Sequence, residues 1–490
     1  MHDTDFDVLI IGAGISGIGA AYHLKTKLPG KRFAMLDGRD AIGGTWDLFR
    51  YPGIRSDSDC HTMGFAFKPW TDKKAIAEAP AILRYLHEII DDNGLAGHVR
   101  FGHQVTGARF STDDARWTVT AEVAGEPREL TCRFLVSGTG YYDYASAFTP
   151  DFAGVEDFAG RVVHPQFWPE DLDYAGKRVV IIGSGATAVT LVPNMTGTAA
   201  HVTMLQRSPS YMFSLPAEDP IANTLNRFIG PQRASRIVRR KNIFVQRGLY
   251  KLSRRRPDLM RKVLMADAKR RLPKGYEVDT HFNPHYDPWD QRLCLTPDGD
   301  LFDAIGSGGA SIVTDRIDRF VAEGIRLQSG RVLEADIIIT ATGLNMQPLG
   351  GMTLNVDGAD VDLPETLIYK SMMLSDVPNF AFIVGYTNAS WTLKVDLVCE
   401  HVCRLLAHMD ARGADVVVPV PAEPDQERTA LFNLSSGYVQ RGIHRFPRSG
   451  SRGPWAVQMA YEHDVEQLRD GDVSGPDLQF RARAAVAAAA

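Results

Sequence analysis

Apolar runs that end on glycine recur along the chain, and each reads as a strand buried on both faces. Phe6-Asp-Val-Leu-Ile-Ile11 leads straight into a glycine loop and then a helical stretch from Ile18 to Leu28. Arg32 to Leu36 predicts the next strand. The order repeats further on, with strands over Arg178 to Ile182 and His201 to Leu205 around a second glycine loop. Phe134-Leu-Val-Ser-Gly138-Thr-Gly140 and Ile337-Ile-Ile-Thr-Ala341-Thr-Gly343 close the two units alike, so the chain carries an internal duplication. Strands alternating with helices predict an α/β fold with two Rossmann-like dinucleotide-binding domains. From Gly12 to Gly140 is 128 positions and from Gly183 to Gly343 is 160, which predicts a helical insertion in the second domain, before Pro284.

Length and composition agree with this division. At 490 residues the chain is too long for one core, and 44% hydrophobic with 23% charged residues is ordinary for a globular protein. Apolar runs stay short of the ~18 residues a spanning helix needs, and the acidic start Met1-His-Asp-Thr-Asp-Phe-Asp7 is unlike a secretory signal, so a cytoplasmic location is expected. The net charge of -5 is unevenly spread: residues 231–275 hold sixteen Lys/Arg against Asp258 and Asp267. Basic clusters alternate there with apolar residues at helical spacing. The simpler reading is a solvated face balancing an acidic body; the other is an amphipathic patch drawn weakly to anionic lipid at the inner face of the membrane. Nothing else in the sequence reads bases, so no nucleic acid partner is expected.

The glycine loops carry the chemistry. In Gly12-Ala-Gly14-Ile-Ser-Gly17, Gly12 permits the sharp turn, Gly14 lets a pyrophosphate approach the backbone, and Gly17 lets helix pack on strand. Asp37, at the end of the next strand, suits a ribose 2′-hydroxyl. The second loop, Gly183-Ser184-Gly185-Ala-Thr187-Ala188, is followed by Gln206-Arg207 where an acid would stand, and Arg207 can pair with a 2′-phosphate that aspartate would repel. The second site therefore predicts NADPH. Two such sites imply a tightly held flavin, FAD, reduced by a mobile nicotinamide.

The fate of the electrons depends on the residues around the flavin. Residues 38–59 hold no cysteine and Cys60 stands alone, which excludes a disulfide relay; Cys399 and Cys403 read as buried small hydrophobes. The stretch Gly43-Gly44-Thr45-Trp46-Asp47-Leu-Phe-Arg-Tyr51-Pro-Gly-Ile-Arg55-Ser-Asp57, dense in glycine and aromatics, can wrap a planar ring. His281, His285 and Asp287 are spaced like metal ligands, yet Pro284 and Pro288 break any helix that would align them, so no metal is expected.

GGTWDLFRYPGIRSDSD, the run Phe158-x-Gly160-x-x-x-His164-x-x-x-Trp168-Pro169, GSGATA and ATG occur in the order found in Baeyer-Villiger monooxygenases, and this resemblance covers nearly the whole chain. RYPGIRSDSD, HPQFWPEDLDY, PHYDPWDQRLCL and GYTNASWTLK resemble more narrowly the mycobacterial ethionamide-activating subgroup. The resemblance implies an NADPH-dependent flavin monooxygenase. It would insert one oxygen of O2 beside a ketone carbonyl, through a C4a-peroxyflavin, to give an ester or lactone, and would also oxidise sulfides or thioamides. It assigns catalysis to Arg292, a fixed cation for the anionic species, and Asp57, the acid that pairs with it. FAD falls to Gly12, Gly14, Gly17, Asp37, Gly44, Thr45, Trp46, Asp47 and Asp57, and NADPH to Gly183, Ser184, Gly185, Thr187 and Arg207. Relatives often carry lysine just before the catalytic arginine; Gln291 stands here and shifts phosphate recognition towards Arg207 and Thr187.

The fingerprint itself lies on the connection between the domains, where His164 and Trp168 read as braces of a hinge rather than as acid or base. The expected divisions are 1–145 and 346–480 for the FAD domain, 146–215 and 284–345 for the NADPH domain, 216–283 for the basic helical insertion, and a frayed alanine-rich tail over 481–490. Two rival functions stay open: a flavin-containing monooxygenase acting on sulfur or nitrogen, and a non-catalytic redox sensor. The natural substrate and the oligomeric state are not legible.

Overall fold

The computed structural model describes residues 4–291, 293–432 and 434–483. Two sheets organise the chain. In the first, the Phe6–Ile11 strand lies between Phe33–Leu36 and Glu126–Ser137, all parallel, in the register Val8↔Phe33 and Val8↔Phe134. Val99–Arg100 extends one side and Phe380–Phe382 pairs beyond Glu126–Ser137. The twelve-residue Glu126–Ser137 strand serves two layers: its first half pairs antiparallel with Arg116–Val123, and its second half, apolar at every position from Phe134 to Val136, joins the parallel strands. Val8, Ile10, Phe134 and Val136 pack on one side of this sheet, beneath the helices Ile15–Lys27 and Trp391–Arg412. Leu9, Ile11 and Leu135 pack on the other side.

The second sheet is parallel throughout, in the order Ala310–Thr314, His201–Gln206, Arg178–Ile182, Ile337–Thr340, Arg161–Val163. Its central strands Arg178–Ile182 and Ile337–Thr340 read as nearly unbroken apolar runs because both faces are covered, whereas the edge strand Arg161–Val163 is exposed at its first two residues. Between His201–Gln206 and Ala310–Thr314 come the helices Pro220–Ile229, Pro231–Arg255, Pro257–Arg271 and Val278–Phe282. Proline occupies the first turn of the three longer ones, where its missing N–H is harmless and its fixed φ suits the helix.

The chain leaves the first sheet through Tyr142–Ala147 and returns through Leu344–Met346, and these two segments pair antiparallel, Leu344 opposite Ala147. The fingerprint is not wholly a connection, since Arg161–Val163 is the edge strand of the second sheet, where it runs parallel to Ile337–Ile339 in a backbone ladder. The expected tail also begins too early: Arg481 pairs with Val416 at the end of the Leu478–Arg481 strand, held by ladder bonds that composition does not reveal. Residues 484–490 lie outside the described residues.

Candidate functional site

The two glycine loops form by the same local geometry. At each, a strand ends, the chain turns at a glycine of positive φ (99° at Gly12, 135° at Gly183), and a helix begins three residues on, at Ile15 and at Ala186. A Cβ on Gly12 would stand 2.9 Å from Gly138 O, and one on Gly183 would stand 2.3 Å from Ala341 O. The same turn thus abuts the equivalent closing strand in both units. Gly17 is the tightest point: a Cβ there would lie 1.8 Å from Gly12 O. The helix starting at Ile15 has glycine as its N-cap and no acid in its first turn, so its free N–H groups face the loop unneutralised.

One cavity of about 1400 Å³ runs past both loops. That exceeds the ~300–1,000 Å³ of an ordinary small-molecule site and matches a space shared by two dinucleotides. Gly12, Gly14, Asp37, Gly44, Thr45, Trp46 and Asp57 line it from the first unit. Gly183, Ser184, Gly185, Thr187 and Arg207 line it from the second. Gly17 and Asp47 sit behind the wall: Gly17 packs helix on strand, while Asp47 pairs with Arg39, which does line the cavity. Asp37 accepts hydrogen bonds from the N–H of Ala13 (2.7 Å) and of Arg39 (2.9 Å), tying the glycine turn to the second strand. Burial nonetheless raises its carboxyl above the ordinary value, outweighing those two bonds.

Arg207 is exposed on the cavity wall, and among the described residues its guanidinium has no ion-pair or hydrogen-bond partner. Ser184 Oγ lies 2.9 Å from Ser210 Oγ and 3.2 Å from Ser208 O, closing the loop beside it. Arg292 lies outside the described residues; its chain neighbours Gln291 and Leu293 both line the cavity. Asp57 also lines it, and its charge acts on Tyr51. The Tyr51 hydroxyl is pushed up to about 12, by burial first, and is hydrogen-bonded to the Thr187 side chain. The ring-wrapping segment of the first unit therefore reaches the helix of the second, a link with no signal in the sequence.

None of Phe158, Gly160, His164, Trp168 and Pro169 lines the cavity. Phe158 packs beside Phe320, and a Cβ on Gly160 would stand 2.3 Å from Asp336 O. Trp168 packs against the core on one face of the second sheet. His164 Nε2 lies 3.2 Å from Gly343 O, and its Nδ1 accepts the Gln166 N–H at 3.1 Å. Both ring nitrogens are engaged, Nε2 as donor, and burial holds the ring below its ordinary pKa. The histidine is a neutral strut to the point where the chain re-enters the first sheet. Gln166, which sequence reasoning passed over, is buried and donates to the carbonyls of Asp143 (2.9 Å) and Tyr144 (3.2 Å), securing the outgoing strand.

Tyr386, Ala389 and Trp391 line the cavity, and Trp391 Nε1 donates to Ser16 Oγ at 2.8 Å in the first helix of the FAD side. All five cysteines are buried and none forms a disulfide; burial pushes the Cys60 thiol up to about 12, far from a reactive thiolate. His281 Nδ1 meets Thr314 Oγ1 at 2.8 Å, Asp287 pairs with Arg261, and among the described residues no three His, Cys, Asp or Glu gather as metal ligands.

A protein-family model described as pyridine nucleotide-disulphide oxidoreductase matches residues 9–218, the stretch holding both glycine loops. Over the full length, the FAD-containing monooxygenase EthA of Mycolicibacterium smegmatis is 52% identical across 485 residues, 99% of each chain. The putative FAD-containing monooxygenase MymA of Mycobacterium tuberculosis is 51% identical across 492 residues, again 99% of each. The probable FAD-binding monooxygenase AlmA of Acinetobacter baylyi is 47% identical across 484 residues, 98% of this chain and 96% of that one. The chain belongs to the FAD-containing monooxygenases. Its fold is that of a steroid monooxygenase solved in its oxidised form with NADP (TM-score 0.78, 21% identity, 97% of this chain and 99% of that one). Cyclohexanone monooxygenase in an open form superposes similarly (TM-score 0.75, 19% identity, 97% and 99% coverage).

Proposed function

We propose that this enzyme is a Baeyer-Villiger monooxygenase that takes NADPH and O2, inserts one oxygen atom beside a ketone carbonyl to give an ester or lactone, and also oxidises sulfides or thioamides. The observation that carries the reading is the single cavity lined at one side by Gly12, Gly14 and Asp37 and at the other by Gly183, Gly185 and Arg207. Bound FAD would supply the oxygen-activating chemistry once NADPH has reduced it. The residues present fit such a group: the glycine turn leaves no room for a side chain, and an unneutralised helix N-terminus faces it.

The chain's own residues hold and shield. The backbone of residues 12–14 and the helix behind it seat one pyrophosphate, and residues 183–187 seat the other. Arg207, with no partner among the described residues, is placed to receive a 2′-phosphate, which would favour NADPH over NADH. Arg292, between two cavity-lining neighbours, is the fixed cation that steadies negative charge as the carbonyl is attacked, with Asp57 setting its position. Tyr51, Trp46 and Trp391 line the space with aromatic surface and keep water from it.

The subdivision into an FAD domain (1–145, 346–480) and an NADPH domain (146–215, 284–345), with 216–283 as insertion, follows from this reading. We place the protein in the cytoplasm, with residues 231–275 as the segment by which it rests on the inner face of the cell membrane; no helix among the described residues is long and apolar enough to cross a membrane.

The test is to supply the yellow protein with NADPH, air and a mixture of linear, cyclic and aryl ketones with a sulfide and a thioamide, and to identify products by mass. Esters or lactones from the ketones are expected. Sulfoxides alone would make it a heteroatom monooxygenase, and no substrate-stimulated oxygen uptake would make it a sensor. Arg292→Ala should keep bound FAD and its bleaching by NADPH while ester formation falls at least a hundredfold; normal ester formation would remove Arg292 from catalysis.

A further inference from the structure

Among the described residues, nine of the fifteen exposed large hydrophobic side chains fall between Ile221 and Val263, on the helices Pro220–Ile229, Pro231–Arg255 and Pro257–Arg271. Phe244 is 80% exposed and Phe228 76%, and Ile237 and Leu252 continue the stripe along the long helix. That helix carries nine Lys/Arg over 25 residues and no acid. Its two faces treat their charges differently. On the inner face Arg239 donates to Thr62 O at 2.9 Å and pairs with Asp396, and Asn242 and Gln246 donate to the Asp59 carboxylate. On the outer face Arg233, Arg236, Arg240, Lys251 and Arg255 are exposed and have no ion-pair partner among the described residues.

We infer that this three-helix face docks on an anionic lipid bilayer, a deepening that rests on the membrane-surface location proposed above. Apolar side chains and guanidinium groups at one level suit the boundary between acyl chains and anionic headgroups, where the first are buried and the second are paired. A nucleic acid would meet the cations but leave Phe228 and Phe244 in water. A second copy of this chain would set one acid-free helix against another.

The docking face is fastened to the wall of the cavity. Asp59, held by Asn242 and Gln246, follows Asp57 and Ser58 and caps the short Cys60–Met63 helix through the Thr62 N–H at 3.0 Å; Asp57, Ser58 and Met63 line the cavity. The bilayer would thus hold the cavity at a fixed height above the lipid, suited to substrates that partition into it.

Sedimentation of the FAD-loaded enzyme with vesicles of phosphatidylcholine, with and without phosphatidylglycerol, tests this. Binding to the anionic vesicles should be at least tenfold stronger than to the neutral ones and should weaken as salt rises. Ile237→Ser/Phe244→Ser and Arg236→Gln/Arg240→Gln should each lower it tenfold or more, with oxidation of a water-soluble ketone and the melting temperature unchanged. Vesicle binding that survives both double variants would leave the membrane location standing and overturn this face. No binding to either vesicle would overturn both. Self-association lost in the Ile237→Ser/Phe244→Ser variant, or duplex DNA bound more tightly than vesicles, would equally overturn the lipid assignment.

Discussion

Lys394 and Asp464 form an ion pair at 2.7 Å with side chains only 3% and 2% exposed, and the Tyr386 hydroxyl donates to the same Asp464 oxygen at 2.6 Å. Tyr386 in turn lines the cavity. A buried charge is tolerable only while its partner remains, so Lys394→Met should cost about 3–5 kcal/mol by denaturant unfolding. Lys394→Met/Asp464→Asn should recover at least half of that loss, since no bare carboxylate is left inside. Equal losses in the two variants would show that packing, not charge, matters at this point.

His401 predicts a dependence on acid. Burial, with help from the Lys370 charge, lowers its pKa from 6.5 to about 3, while Nδ1 holds Leu468 O at 2.9 Å. The folded form keeps the ring neutral and the unfolded chain protonates it. Stability from this residue is therefore complete above pH 6.5 and is lost as pH falls towards 3, at about 1.4 kcal/mol per pH unit. Unfolding midpoints between pH 7 and pH 4.5 should fall less steeply in His401→Gln than in the parent, by about that slope; identical slopes would show that the ring is already charged.

Gly17→Ala should leave the protein without flavin. The added Cβ would sit 1.8 Å from Gly12 O, so helix or loop must move away from the pyrophosphate seat. Visible flavin absorbance relative to protein absorbance should drop more than tenfold. Gly30→Ala, where a Cβ meets nothing within 4 Å, should stay yellow. Full flavin content in Gly17→Ala would refute the assignment of this loop.

Arg207→Ala should raise KM for NADPH at least tenfold and leave that for NADH within twofold, because the lost partner is the 2′-phosphate alone. Steady-state kinetics with both nucleotides decides it. An unchanged preference would return Arg207 to the solvated surface.

The parts of this site that were legible in the sequence are those set by local backbone sterics. Gly12, Gly17 and Gly183 declare themselves because the backbone packed against them excludes a side chain, and the following strand places Asp37 or Arg207 at a fixed remove. The contacts that secure the cavity were not legible. Tyr51 to Thr187, Gln166 to the carbonyls of Asp143 and Tyr144, and Lys394 to Asp464 each join segments whose meeting is fixed only by sheet order and helix packing. Arg481 failed for the same reason: its alanine-rich neighbours suggest fraying, whereas a ladder with Val416 reaches it from outside the local pattern. The fingerprint showed its residue types plainly but not that His164 would end as a strut to Gly343.

The outgoing segment Tyr142–Ala147 and the returning segment Leu344–Met346 lie side by side, Ala147 facing Leu344. To the first sheet, everything between them is the tip of a hairpin. Closing a longer loop costs only logarithmically more than closing a short one, so a whole folded unit can hang from such a tip with little penalty to its host. The arrangement behaves like a socket: one nucleotide-binding cassette could be exchanged for another without disturbing the strands that hold it, a route by which a flavin domain can acquire a new electron donor.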